Sequence, residues 1–283
     1  MYNLQALILL HNTEQQIIQK TEETVQGACE IMPLVINQLI WLPQFICNNN
    51  KDIHTDNPRI HFCVQQFWNL PYSLYTAWEL ICKGHYSDAY ALIRGVLEGF
   101  LQMKYFLNID GDADKRFQEH MYGSYNERIS FFKMFKHLVP DISTLGYIEG
   151  DNECIISKEN SFYSFWYGKI LSGCSHKGLT SALFRMGYSE DGKINPSRLV
   201  PGNQFNKSAL CTSLGLLICL AYGLFTLAMK AFPNNNLIDK SGNIIDIPTS
   251  KVLSWIHKWK EGQEEFPKET DFFWKYIFEL VGF

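Results

Sequence analysis

ALCTSLGLLICLAYGLFTLAM, residues 209–229, is a run of 21 residues without a charge, bounded by Lys207 and Lys230. A stretch of this length is long enough to span a bilayer. It is also what the central helix of a large helical domain looks like, apolar all round because it is covered all round. Ser, Thr and two Gly residues dilute the run, no second span accompanies it, and no basic loop sets a topology. The core-helix reading follows, with Leu216, Leu217 and Leu220 as core residues and membrane contact not expected.

The rest of the chain supplies what such a helix needs around it. The 283 residues are 46% hydrophobic and 14% aromatic, enough for a sizeable core. Upstream, residues 12–47 keep helical spacing through Ile17, Val25, Cys29, Met32 and Ile36, with Thr13 and Gln16 as a capping-box start. NNNKDIHTDNP, 48–58, reads as a polar loop. A helical pattern resumes from Arg59 to Lys83, with Pro71 as a break or kink. Ser87 caps a helix from Asp88 to Asn108, and Asp112 or Asp114 opens one reaching Leu138. Further on, 161–176 reads as a helix. Residues 186–205 form an irregular excursion holding a short hairpin about Glu190-Asp191-Gly192, and the apolar helix runs over 206–232. The class is all-α: a multi-helix bundle with a buried central apolar helix. Two parts are expected, a main bundle over 1–232 and an aromatic C-terminal extension over 233–283, whose two short helices cover 250–261 and 270–280.

Charge and cysteine usage narrow the function classes. Lys and Arg number 25 against 29 Asp and Glu, a net charge of −4 with no basic stripe, which argues against duplex DNA as a partner. The eight cysteines form no C-x-x-C and no zinc-finger spacing, and His54, His61 and Cys63 match no ligand pattern, so no metal and no cofactor is expected. MYNLQALILLHN lacks a basic n-region, and cysteines set in apolar segments read as reduced thiols, which points to the cytoplasm.

Two segments carry polar side chains where apolar ones would be expected. In SDAYALIRGVLEGFLQMKYFLN, 87–108, the residues Ala89, Ile93, Val96, Leu97, Phe100, Met103 and Leu107 share one arc at 100° per residue. Arg94 and Glu98 fall on its edge beside Tyr90, Leu101 and Tyr105, which predicts partial burial and a need to satisfy the guanidinium donors. In FYSFWYGKILSGCSHKG, 162–178, Lys169, Ser172 and His176 share a face, and small residues at 172–175 leave room for a neighbouring helix or a ligand. The plainer readings are an i,i+4 pair on a helix surface and a histidine favoured by the helix dipole in a last turn.

Together YALIRGVLE, 90–98, and YGKILSGCSH, 167–176, resemble an uncharacterised bacterial all-helical family. Its members carry an Arg-x-x-x-Glu helix and, later, a Ser-x-x-x-His helix after a tyrosine. The resemblance covers about residues 70–232. It implies that Arg94, Glu98, Ser172 and His176 meet in one polar pocket as catalytic residues, with Tyr167 and Lys169 as ligand contacts. The family is similar to HEPN-type helical proteins of toxin and antiviral defence systems, many of which cleave RNA without a metal, using an Arg and a His with four to six residues between them. Here the nearest run, Arg116 to His120, has only three between, so Arg94 and His176 would recreate the pair from two helices.

Two function classes follow. One is an effector acting on RNA or a nucleotide. The other is a non-catalytic helical module that binds a protein through Trp255, Trp259, Phe272, Phe273, Trp274, Tyr276 and Phe278 of the C-terminal segment, with an oligomer left open.

Overall fold

The computed structural model describes residues 5–49, 57–107, 112–124, 128–138, 171, 174, 186–188, 194–199 and 204–232. Its helices are α1 (Gln5–Asn49), α2 (Pro58–Cys82), α3 (Tyr86–Leu107), α4 (Ala113–Tyr122), α5 (Phe131–Leu138) and α6 (Lys207–Ala231). An antiparallel ribbon of β1 (Met186–Tyr188) and β2 (Ile194–Leu199) precedes α6, pairing Met186 with Leu199 and Tyr188 with Ile194. The ribbon fits the expected hairpin, and the architecture is all-α, helix packed on helix. The C-terminal extension lies outside the described residues.

α6 is the centre. Asn206 caps it, the Oδ1 accepting from the Ala209 N–H at 2.9 Å. Every residue from Thr212 to Ala221 is buried, nearly three turns, so no side of this part of the helix faces solvent. It packs on α1, α2 and α3, and Leu216, Leu217 and Leu220 are at most 1% exposed. Ser213, fully buried within it, donates back to the carbonyl oxygens of Ala209 and Leu210. Burial accounts for the absence of charge. By length and composition alone both α6 and Leu7–Asn48 of α1 could cross a bilayer, so the expectation of a single such run is corrected. α1 carries an apolar face against α2 (Met32, Val35, Ile36 and Leu39 are buried), while Leu7, Ile8 and Leu9 at its start are exposed.

α2 and α3 join in a tight turn that also seats α6. Gly84 has φ +79°, a left-handed conformation that favours glycine. Its N–H donates to Ile81 O at 3.0 Å and the His85 N–H to Leu80 O at 2.8 Å, the paired bonds of a Schellman C-cap. A Cβ at Gly84 would lie 2.8 Å from Gln204 O and 3.1 Å from Ile17 Cδ1. The turn therefore touches both α1 and the residues leading into α6. His85 Nε2 meets Glu14 Oε1 at 3.0 Å, and the Asn206 N–H donates to Tyr86 Oη at 3.4 Å.

Several boundaries differ from expectation. α1 is described from Gln5, and Thr13 lies within it, donating to Leu9 O rather than capping. α1 is broken at Val25 (φ −133°, ψ 41°), two residues before Gly27. α2 runs through Pro71 without a break, because Pro71 is buried with Phe67 and Leu74 and packing holds the helix across the missing N–H. α3 starts at Tyr86, which puts Ser87 inside the first turn. The helix expected from Asp112 to Leu138 is two. It ends at Gly123 with an extended backbone, and Ser130 starts the next by accepting from the Lys133 N–H at 3.3 Å.

Candidate functional site

α3 carries the first half of the candidate site as the sequence places it. Ala89, Ile93, Val96, Leu97, Phe100 and Met103 are buried, and Leu107 is half-buried. Tyr90, Leu101 and Tyr105 are buried on the edge. Between them the Arg94 Nε donates to Glu98 Oε1 at 2.8 Å, with side-chain exposures of 20% and 25%. The expected partial burial is present. The order of the pair, cation nearer the N-terminus and anion nearer the C-terminus, opposes the helix dipole. Helix stabilisation alone is therefore a weak reason for these two residues.

The second half is defined at two positions. Leu171 and Cys174 are buried. The Cys174 thiol hydrogen-bonds the Ser87 side chain, and it interacts electrostatically with Asp88 and Tyr90. Burial, opposed by the Ser87 bond, pushes the thiol up to about 11. Burial drives the fully enclosed Tyr90 hydroxyl well above its usual range. So Cys174 is seated on the first turn of α3. Arg94 and Glu98 lie within about 20° of Ser87 on either side around the helix, and Arg94 stands about 10 Å along the axis from Ser87. Ser172 and His176, with Tyr167 and Lys169, lie outside the described residues, as does any contact between them and Arg94 or Glu98.

The Arg116–His120 run is arranged differently. His120 packs on the Phe106 ring, centroids 5.5 Å apart, and its Nε2 lies 3.5 Å from Gln102 Nε2. Its Nδ1 is buried without a hydrogen bond among the described residues. Burial, with Arg128 repelling the charged form, lowers its pKa. Beside it, Pro58, His61, Phe62, Gln65, Phe117, Met121 and Tyr122 line a shallow open groove. Among the described residues no three metal-ligating side chains gather. His61 is exposed while Cys63 is buried and its thiol pushed up to about 12, so these two diverge.

Sequence reasoning missed the contacts that join helices through thiols. Ser87 was read as a cap and is Cys174's partner; Cys29 of α1 and Cys82 of α2 hydrogen-bond each other. Periodicity relates residues on one helix and carries no signal for pairs drawn from two. No family model, curated protein or solved structure matches the chain.

Proposed function

We propose that this protein is a cytoplasmic helical effector of the toxin or defence type, acting on RNA or a nucleotide at the Arg94 edge of α3. The observation that carries the reading is the half-buried Arg94–Glu98 pair, set against the helix dipole on the strip of α3 where Cys174 is seated. Two peptide units separate Cys174 from His176, which limits their Cα separation to about 7 Å.

In this reading His176 takes the proton of a ribose 2′-hydroxyl as general base, the 2′-oxygen attacks the adjacent phosphorus, the P–O5′ bond breaks, and the 5′-oxygen leaves with a proton from solvent to give a 2′,3′-cyclic phosphate. Arg94 faces the charge that develops on the phosphorane oxygens, held in place by Glu98. Lys169 contacts a neighbouring phosphate, and Ser172 and Tyr167 line the pocket. The test is cleavage and binding of end-labelled single-stranded RNA by the full chain. Wild type should cut, and His176→Ala and Arg94→Ala should each lose about 100-fold or more with unchanged melting. Wild type that neither binds nor cuts RNA or nucleotides overturns the proposal. So do variants that lose activity only by unfolding, which would make the polar cluster a structural lock.

A second reading, a protein-binding module, has its own support. Trp68, Tyr72 and Tyr75 are exposed on α2 at i, i+4 and i+7, one continuous aromatic strip. A cellular phenotype abolished by Trp68→Ser with Tyr72→Ser, and untouched by Arg94→Ala, would select this reading over the first.

A further inference from the structure

We propose that Cys29 and Cys82 are a reversible disulfide site, oxidised by a neutral peroxide, that ties α1 to the C-terminal end of α2. The geometry comes first. The two thiols, one on each helix, are hydrogen-bonded to each other. Residue 82 is also where α1 touches α2 a second time, since the Thr21 Oγ1 donates to Cys82 O at 3.5 Å. Thr21 and Cys29 are eight residues apart, about 12 Å on a straight helix. α1 breaks at Val25, between them, and both flank the same residue.

Access and reactivity agree. Cys29 and Cys82 are both partly exposed, and Cys29 lines an open groove with Glu22, Glu23, Gln26 and Glu30. The hydrogen bond from Cys82 lowers the Cys29 pKa, against burial and the repulsion of Glu22 and Glu30, while Cys82 is raised by the same bond and by burial. Cys29, which lines the groove, is the thiol an oxidant from solvent meets, and the thiolate is the nucleophile. Cys63 and Cys219 are buried, and burial pushes their thiols up. The carboxylates around the groove repel anionic oxidants such as glutathione disulfide, which is why an uncharged peroxide fits.

The step balances with hydrogen peroxide. The Cys29 thiolate attacks one peroxide oxygen, the O–O bond breaks, and hydroxide leaves and takes up a proton to give water and a Cys29 sulfenic acid. The Cys82 sulfur then attacks Cys29 Sγ, the S–O bond breaks, and the hydroxyl leaves as water with the Cys82 proton. Two electrons pass from the sulfur pair to the peroxide oxygens, and a dithiol restores both thiols.

Peptide mapping of the full chain tests this without a variant. After brief hydrogen peroxide and alkylation of remaining thiols, trypsin with a glutamate-specific protease places Cys29 alone in 24–30 (TVQGACE) and Cys82 alone in 80–83 (LICK). The expected result is a linked 24–30/80–83 pair that disappears with dithiothreitol and forms at least about tenfold faster with peroxide than links involving Cys63 or Cys219. Cys82→Ser should lose the link and leave a Cys29 sulfenic acid that dimedone traps. Oxidation of wild type without that linked pair, or Cys29 joining Cys47 or a second molecule as fast, overturns the proposal.

Discussion

Two glycines on α3 offer a controlled measurement of how closely α2 and α3 pack. Gly95 and Gly99 lie one turn apart in the middle of the same helix, so replacing either by Ala gains the same intrinsic helix propensity, about 1 kcal/mol. Their surroundings differ. A Cβ at Gly95 meets nothing within 4 Å. A Cβ at Gly99 would stand 2.8 Å from Leu70 Cδ2, 3.0 Å from Leu70 Cδ1 and 3.1 Å from Gln66 Oε1. Leu70 is itself in the core at 6% exposure, and both of its methyls crowd the position, so turning χ2 exchanges one clash for the other. Overpacking of this kind costs about 1–3 kcal/mol. Gly95→Ala should therefore stabilise by about 0.5–1 kcal/mol, and Gly99→Ala should end between neutral and about 2 kcal/mol destabilised. Urea unfolding followed by far-UV circular dichroism, with both variants beside wild type, reads the difference directly. If Gly99→Ala stabilises as much as Gly95→Ala, the α2–α3 approach is looser than described and the argument fails.

Two further outcomes follow from burial. Leu217→Ala or Leu220→Ala in α6 should each destabilise by about 2–5 kcal/mol, since both side chains are fully enclosed; a change below about 1 kcal/mol in chemical denaturation would contradict the central placement of α6. His120 has a folded-state pKa below its ordinary 6.5, so the unfolded chain binds the proton more readily. Its contribution is complete above about pH 6.5 and is lost as pH falls from there through the lower folded value. The urea midpoint of wild type should fall more steeply between pH 7 and 5 than that of His120→Gln, and equal slopes would refute the assignment.

What the sequence made legible is what lies within single helices. The charge-free run at 209–229 could be read because full enclosure removes every reason for a charged side chain, and the edge position of Arg94 and Glu98 follows from 100° per residue. Pro71 misled because local backbone chemistry argues for a break, whereas burial with Phe67 and Leu74 overrides it. Gly123 and Ser124 escaped notice because the aromatic pattern continues across them into Phe131 and Phe135. Ser87 looked like a cap because the left-handed Gly84, which sets where α3 begins, reveals itself only through the hydrogen bonds of the turn. For the candidate site, Arg94 and Glu98 stand where expected. Ser172 and His176 lie outside the described residues, so their half of the pocket rests on the resemblance and on the seat of Cys174.

The central position of α6 has a consequence for synthesis. Its partners α1, α2 and α3 are complete by Leu107, yet the helix that fills the space between them begins at Lys207. The Asn206–Tyr86 hydrogen bond alone joins residues 120 apart. At a ribosomal rate of about 5–20 residues per second, the first three helices wait at least about 5 s with their inner faces uncovered. A nascent chain stopped anywhere before residue 207 would present those faces to other chains, a form suited to chaperone capture and prone to aggregation. The cooperative unit closes only when α6 leaves the exit tunnel, so folding of the bundle is late in translation rather than progressive.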